Sequence, residues 1–416
     1  MLNTKFVLSN NDLFELKIYI PCGAINEDDD QSGISHFLEH IKFNKTTQSP
    51  TLNKEFNKAK TLGSTINAYT TMDHTTFFTS SSSKNWKTIT KLLLKIVFDT
   101  KFSNNNIENE RKIVFEEKAM RYDNHIAANV LDTLHLSKDN PYVTKSIIGS
   151  DKSLLNISNA DLKKFNDEHY FVDNCIFLIS CSNSQKEKIC DFIMNFLKKI
   201  KHLKWTNEHK KIIDTCLYKS YDFNLQVNIN TSSEFNRVLL NFRSFCLTNE
   251  DVCFLPVINY IVTEELYKEL REDKAFVYKI YCTNDTQLHV GFTRVSFTTT
   301  YDNVSIIINK IVEIIESLSK NKTLFDKQMS SFLNKFDIDK SCYIMSDVVF
   351  SSRQIKDSSV LREIINDFTY NHFKKLSKYI FDLNYMSAMI ISNNKSVDYH
   401  INMFKKELKY NAYQAL

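Results

Sequence analysis

Glycine and proline are scarce in this chain, with 5 and 4 residues among 416. So few glycines argue against a glycine-rich phosphate-binding loop, in which small residues let the backbone approach the phosphates. No apolar run reaches the roughly 20 residues that a membrane-spanning helix requires. The net charge of +4 is too small to favour nucleic acid or a membrane surface as a partner. We therefore expect a globular protein with no membrane span and no nucleic-acid partner.

The cysteines lack a pairing pattern. There are nine of them, which is an odd number, and none forms a C-x-x-C motif. Such a set favours a reducing compartment over a disulfide framework. The first 20 residues show neither a signal-peptide pattern nor an arginine-rich presequence. We expect a cytoplasmic location, and the mitochondrial matrix stays open as an alternative.

A faint internal repeat indicates how the chain is organised. KKFNDEHYFVDNCIFLISCSN (163–183) and KKLSKYIFDLNYMSAMIISNN (374–394) share a Lys-Lys pair, an aromatic pair, an asparagine and an apolar strand. Their asparagines, Asn174 and Asn384, are 210 residues apart, which is about half the chain. A chain of this length also exceeds one core of ordinary size. The sequence therefore predicts two similar α+β domains, residues 1–205 and 206–416.

Hydrophobic periodicity predicts the elements of the first domain. The alternation in LFELKIYI (13–20) is typical of a half-buried strand, and we expect KFVLS (5–9) to pair with it as a hairpin. Further predicted elements are helices over 34–44, 53–63, 85–99 and 107–136, with two strands within 65–81.

The stretch HFLEH (36–40) has the composition of a metal site. On a helix, residues i, i+3 and i+4 share a face, which places His36, Glu39 and His40 together. Two imidazoles one turn apart can hold zinc, and the metal lowers the pKa of a bound water towards about 7. Glu39 can then accept a proton from that water. The alternative is an ordinary amphipathic helix that carries two histidines by accident.

A catalytic zinc needs a third protein ligand, and the segment 107–123 offers glutamates. Glu110 and Glu117 are seven residues apart, so they lie on the same face of a helix, two turns from each other. A helix face with two carboxylates is more often a solvated face than a metal site. The residues alone leave both interpretations open.

Taken together, GISHFLEHIKFNKT (33–46) and NERKIVFEE (109–117) resemble the pitrilysin-type zinc peptidases, the inverzincin group that contains insulysin and the mitochondrial processing peptidases. The resemblance implies that His36, His40 and Glu117 bind one zinc ion per chain. It implies Glu39 as the general base, and Glu110 as an acidic residue that supports the site. A register slip by one residue would put Glu116 in the place of Glu117.

Two further stretches match the same family. INAYTTMDHTTFF (66–78) resembles an edge strand on which the substrate backbone pairs, which implies Asn67 and Ala68 as substrate contacts. ELREDKAFVY (269–278) resembles an element whose arginine and tyrosine, here Arg271 and Tyr278, help to bind the scissile carbonyl group. The alternative for this pair is a salt bridge at a helix end and a buried tyrosine. Ala275 stands where the family has glycine.

The resemblance implies an α+β fold of two similar domains, each a mostly antiparallel sheet with helices packed on it, which face each other as a clamshell. It implies a zinc-dependent endopeptidase for short or unfolded peptides. The alternative is a catalytically silent peptide-binding or scaffold subunit. A homodimer or a heterodimer with a related subunit is expected.

The acidic run at residues 27–30 precedes the HFLEH helix. It either attracts basic peptides to the site or is a solvated loop.

Overall fold

The computed structural model describes residues 2–8, 12–43, 50–99, 104–124, 142, 145–200, 224–229, 235–246, 249–287, 290–300, 304–335 and 358–392. These residues form two compact units. The first unit comprises the described residues up to Asn124, residues 145–200 and residues 358–362. The second comprises Tyr142, the described residues between 224 and 335, and residues 363–392. The predicted boundary between residues 205 and 206 lies outside the described residues and stays a prediction.

The first unit is one five-stranded sheet with helices. The strands are β1 (Asn3–Leu8), β2 (Leu13–Ile20), β3 (Thr65–Thr70), β4 (Thr75–Ser82) and β5 (Ile176–Cys181), in the order β1-β5-β2-β4-β3. Only the pair β1/β5 is parallel. The helices are α1 (Ile34–Phe43), α2 (Pro50–Thr61), α3 (Trp86–Phe98), α4 (Asn104–Asn124), α5 (Asp151–Asn156), α6 (Asn159–His169) and α7 (Lys186–Leu197).

The predicted hairpin between residues 5–9 and 13–20 is wrong. Strand β5 lies between β1 and β2, so that Leu178 pairs with Lys5 on one side and with Lys17 on the other. The sequence of β5, IFLISC, is apolar and almost wholly buried, as is typical of a central strand that is hydrogen-bonded along both edges. The long-range partner therefore displaces the local one.

The other local predictions for this unit agree with the structure to within three residues. They concern helices 34–44, 53–63 and 85–99 and the two strands within 65–81. The helix predicted over 107–136 begins at Asn104 and is described as far as Asn124. Its remaining predicted residues, 125–136, lie outside the described part of the chain.

The core of the first unit lies between the sheet and its helices. Successive side chains of a strand point to opposite faces. Phe14, Leu16 and Ile18 of β2 therefore share one face, and they are fully buried. Helix α3 packs on this face through apolar residues such as Leu92 and Leu93, which are also buried. This continuous core fixes the helices that carry the candidate site.

The second unit repeats the first. Its strands are β6 (Asn224–Ile229), β7 (Asn236–Arg243), β8 (Lys279–Thr286), β9 (Gly291–Thr299) and β10 (Met386–Ser392), in the order β6-β10-β7-β9-β8. Its helices are α8 (Leu255–Tyr267), α9 (Val304–Leu318), α10 (Lys322–Lys335), α11 (Ser358–Asn366), whose first residues cluster with the first unit, and α12 (Tyr370–Ile380). The first and last strands, β6 and β10, again form the one parallel pair. The identical strand order confirms the predicted α+β fold of two similar halves.

The longest described helix is α4, with 21 residues, and its sequence is largely polar. Among the described helices, none is both long and apolar enough to cross a membrane.

Candidate metal centre

Helix α1 carries HFLEH and presents two different faces. Its apolar residues Ile34, Phe37, Leu38 and Ile41 follow helical spacing and are buried in the core of the first unit. His36, Glu39 and His40 are three and four residues apart, so they share a second face of the same helix. The rings of His36 and His40 lie 4.7 Å apart, centroid to centroid.

The start of α1 is fixed by a buried carboxylate. Glu27 accepts hydrogen bonds from the backbone N–H of Gly33 at 2.7 Å and of Ser35 at 2.9 Å, one residue before His36. Burial raises the pKa of Glu27 to about 7 in spite of these hydrogen bonds. Glu27 therefore neither attracts peptides nor belongs to a solvated loop, the two roles predicted for the acidic run. It caps the start of the helix. The other acidic residues of the run, 28–30, are exposed.

A buried lysine fixes the other end of α1. Lys42 is fully buried and donates hydrogen bonds to the carbonyl of Val97 at 2.8 Å and to Oδ1 of Asn166 at 2.7 Å. Its Nζ lies 4.3 Å from the centre of the Tyr170 ring. Burial lowers the pKa of Lys42 to about 7. With Glu27 at one end and Lys42 at the other, the histidines sit on a helix held at both ends.

Helix α4 brings the glutamates to the histidines. Ile107 and Val114 are buried. Glu110 and Glu117 each follow one of them by three residues and are seven residues apart, so they lie on the same side of the helix. The Glu110 side chain is 13% exposed and that of Glu117 is 29% exposed. Glu116, one residue earlier, is exposed. The two carboxylates therefore do not belong to a solvated helix face.

Three side chains converge on one point. Oε2 of Glu117 lies 3.5 Å from Nε2 of His36 and 3.2 Å from Nε2 of His40. One nitrogen or oxygen atom from each of the three residues lies within 4.8 Å of the others. Ligands at about 2.0–2.1 Å from a tetrahedral zinc ion stand about 3.3 Å apart. A His-His-Glu set at these separations fits a zinc ion with one position left for water.

The charges around this point favour a cation. Burial alone would lower the pKa of His40, but hydrogen bonds with Glu110 and Glu117 and the charge of Glu39 raise it to about 9. The Nδ1 atom of His40 lies 3.4 Å from Oε2 of Glu110. A carboxylate on the second ring nitrogen is the usual partner that orients a metal-binding histidine.

The predicted general base faces the edge of the sheet. Glu39 is buried, with 9% of its surface exposed. Its Oε2 accepts a hydrogen bond of 2.6 Å from the hydroxyl of Thr70, the last residue of β3. Thr70 is a neighbour of the site that the motifs did not indicate. The alternation along β3 could have indicated it, because every second residue of a strand points to the same face. Ile66, Ala68 and Thr70 therefore share the inward face.

Strand β3 is the edge of the first sheet. Among the described residues it pairs with β4 alone, with Asn67 opposite Phe78 and Ala68 opposite Phe77. The side chain of Asn67 is exposed, and its Oδ1 accepts a hydrogen bond from the N–H of Ala68 at 2.9 Å. Such an edge can accept an extended peptide as a further strand.

Arg271 and Tyr278 belong to the second unit and lie close together. The guanidinium carbon of Arg271 is 5.6 Å from the centre of the Tyr278 ring. Tyr278 is 59% exposed, so the alternative of a buried tyrosine is wrong. Arg271 lies in a π-helical turn, Lys268–Glu272, and Ala275, between the two residues, has a φ of +52°. A left-handed backbone explains why the resembling family has glycine there.

Replacing Ala275 with Gly is expected to leave the free energy of unfolding unchanged or to raise it by up to about 1.6 kcal/mol. A left-handed alanine costs about 1–2 kcal/mol, of which the greater freedom of glycine in the unfolded chain cancels about 0.4–1 kcal/mol. The matched control is Ala119→Gly in α4, which we expect to lower the free energy of unfolding by about 0.5–1 kcal/mol. Urea unfolding followed by circular dichroism measures both. Equal losses in the two variants would contradict the strain at Ala275.

The comparisons with known proteins identify the family. Residues 6–143 match the family described as Insulinase (Peptidase family M16), and residues 156–331 match the Peptidase M16 inactive domain. A two-domain fold of this kind, with a His-His-Glu group in its first half, is that of a pitrilysin-type protein. The chain belongs to peptidase family M16, which confirms the resemblance seen in the sequence.

Individual relatives match between about a third and nine tenths of the chain. An uncharacterized zinc protease of Bacillus subtilis, YmxG, is 22% identical over 389 residues, which are 91% of this chain and 90% of that protein. The human mitochondrial-processing peptidase subunit beta is 27% identical over 154 residues, 37% of this chain and 31% of that protein. The crystal structure of a protease from Helicobacter pylori has a TM-score of 0.74 at 20% identity, and covers 94% of this chain and 96% of its own. That structural likeness supports the two-unit fold.

Proposed function

We propose that this protein is a zinc-dependent endopeptidase that hydrolyses short or unfolded peptides. The observation that carries the proposal is the convergence of His36, His40 and Glu117 within 4.8 Å of one another. Glu39 lies on the same helix, on the face of the two histidines. Relatives named as zinc proteases support the choice of metal and reaction.

In this proposal His36, His40 and Glu117 hold one zinc ion, and Glu110 orients His40 from its Nδ1 side. When bound, zinc supplies a water of lowered pKa and polarises the peptide carbonyl. Glu39 accepts a proton from the attacking water and delivers it to the nitrogen of the leaving amine. The C–N bond of the peptide breaks, and a carboxylate and an amine are released.

The remaining candidate residues have roles in binding the substrate. An extended peptide pairs with the open edge of β3, where Asn67 and Ala68 contact its backbone. Tyr278 donates a hydrogen bond to the developing oxyanion, and Arg271, 5.6 Å from the Tyr278 ring, orients that side chain. Backbone pairing requires an extended chain, which is why short or unfolded peptides are the proposed substrates.

We further propose that the protein works as a dimer, with itself or with a related chain. Support comes from a relative that is by its name a subunit, the mitochondrial-processing peptidase subunit beta. A reducing, cytoplasmic location is proposed from the nine cysteines without a pairing pattern.

The test combines metal analysis with an activity assay. Purified full-length protein is analysed for zinc and incubated with a quenched-fluorescent peptide library, with and without a chelator. About one zinc per chain with cleavage that the chelator abolishes is the expected result. Bound zinc without cleavage would favour the silent peptide-binding subunit, and a chain that binds no zinc would overturn the proposal.

A further inference from the structure

The hydroxyl of Thr70 is placed to act on Glu39. Thr70 is 9% exposed and ends the edge strand β3, with its side chain on the inward face. Its Oγ1 donates to Oε2 of Glu39 at 2.6 Å, a short distance typical of a hydrogen bond to a carboxylate. The two residues are 31 positions apart in the sequence, so this contact exists only in the folded unit.

Thr70 is itself held by its surroundings. It lies opposite Thr75 in the β3/β4 hairpin, and their hydroxyl oxygens are 3.5 Å apart. Thr75 in turn donates to the carbonyl of Cys22 at 3.0 Å. The backbone of Gly23 packs so closely on the turn that a Cβ there would meet the carbonyl oxygen of Thr71 at 2.5 Å. The strand end therefore presents the Thr70 hydroxyl from a well-supported position.

The turn between β3 and β4 is closed by a polar cluster. The N–H of Thr71 donates to the carbonyl of His74 at 2.8 Å, and Nδ1 of His74 lies 2.7 Å from Oδ1 of Asp73. Asp73 and His74 are both buried, at 1% and 5% exposure. A buried and internally bonded turn leaves Thr70 little freedom to move away from Glu39.

We propose that Thr70 is a positioning residue that holds the Glu39 carboxylate in the orientation needed for proton transfer. The inference rests on the proposed function, because it assigns Glu39 the role of general base. A glutamate side chain has three rotatable bonds, and a fixed donor on Oε2 selects one orientation among those they allow. Misplacement of a catalytic group by about 1 Å costs up to about 10²-fold in rate.

The position of Thr70 also connects the base to the substrate strand. Asn67 and Ala68 lie three and two residues before it on β3, the edge to which the peptide is proposed to bind. A peptide paired with this edge therefore binds to the same strand that carries Thr70, the residue that holds Glu39. Thr70 thus links the substrate strand directly to the proton acceptor.

Three variants of the full-length chain test this role. Thr70→Val removes the hydroxyl and keeps the branched shape, while Thr70→Ser keeps the hydroxyl. Thr79→Val is the matched control, because Thr79 is also buried in this hairpin but donates to the backbone carbonyl of Thr65 at 2.7 Å. We expect kcat to fall about 10- to 100-fold in Thr70→Val, with KM and the zinc content unchanged. Thr70→Ser and Thr79→Val are expected to stay within about threefold of the wild type.

Crystal structures of the wild type and of Thr70→Val supply a readout that does not depend on activity. We expect a single orientation of the Glu39 carboxylate in the wild type and a rotated or multiple orientation in the variant. An unchanged orientation, or an unchanged kcat, would overturn the role of Thr70. An equal loss in Thr79→Val would overturn it as well. A wild type without chelator-sensitive cleavage would instead overturn the proposed function, and the two crystal structures would then show only whether Thr70 orients the Glu39 carboxylate.

Discussion

Replacing Glu39 with Gln is expected to reduce kcat by at least about 10³-fold while about one zinc ion per chain stays bound. General acid–base catalysis typically contributes about 10²–10⁴-fold, and Glu39 is proposed to act first as base and then as acid. Glutamine has the shape of glutamate, and its amide oxygen can still accept the hydrogen bond from Thr70, but it cannot take up the proton. Cleavage of a quenched-fluorescent peptide and metal analysis of the same sample measure the two quantities.

A second buried glutamate provides the control for this substitution. Glu15 lies on β2 in the same unit with 8% of its surface exposed. Its burial raises the pKa of the carboxyl group, so the neutral glutamine is well suited to its site. Glu15→Gln is expected to keep the wild-type kcat. A Glu39→Gln variant with more than about a tenth of the wild-type rate would show that another group accepts the proton.

The second large effect is expected at the third ligand. Glu117→Ala is expected to weaken zinc binding by more than about 100-fold, because loss of a residue that merely orients a ligand already costs about 10–100-fold. The structural reason is that Oε2 of Glu117 lies 3.2–3.5 Å from Nε2 of both histidines. Competition of the protein with a chromophoric chelator measures the affinity.

The matched control is the neighbouring residue. Glu116 is exposed on the same helix and has the same charge, so Glu116→Ala tests the effect of losing one negative charge from α4. We expect its zinc affinity to change by less than about threefold, since exposed charges interact weakly through water. A larger loss in Glu116→Ala than in Glu117→Ala would show that the helix register around the metal differs by one residue.

Much of the fold could be predicted because it follows from local patterns. Helix α1 was predicted from the spacing of Ile34, Phe37, Leu38 and Ile41, and the structure places it over nearly the same residues. The duplication was predicted from two matching segments 210 residues apart, and the two sheets have the same strand order. The first signal is a helical spacing of apolar residues and the second is a repeated segment. Both can be read from the order of residues alone.

The position of β5 between β1 and β2 could not be predicted from the same patterns. Alternation shows which residues form a strand, and a short connection favours two strands as neighbours. Neither signal contains information on a strand that comes much later in the chain. Strand β5 begins only at Ile176, yet it lies between β1 and β2. Strand order depends on which apolar strands gain most from being paired on both edges, and that is decided by the whole unit.

By itself, the sequence determined which side chains share the metal-binding face of α1. His36, Glu39 and His40 are neighbours in any α-helix, because 3.6 residues complete each turn. Only the tertiary structure decided what approaches this face. Helix α4 places Glu117 beside the histidines, whereas Glu116 is exposed to solvent. Glu27 caps α1, and Thr70 of the edge strand donates a hydrogen bond to Glu39. These contacts join residues distant in the chain, and their geometry is set by the packing of sheet and helices around one core.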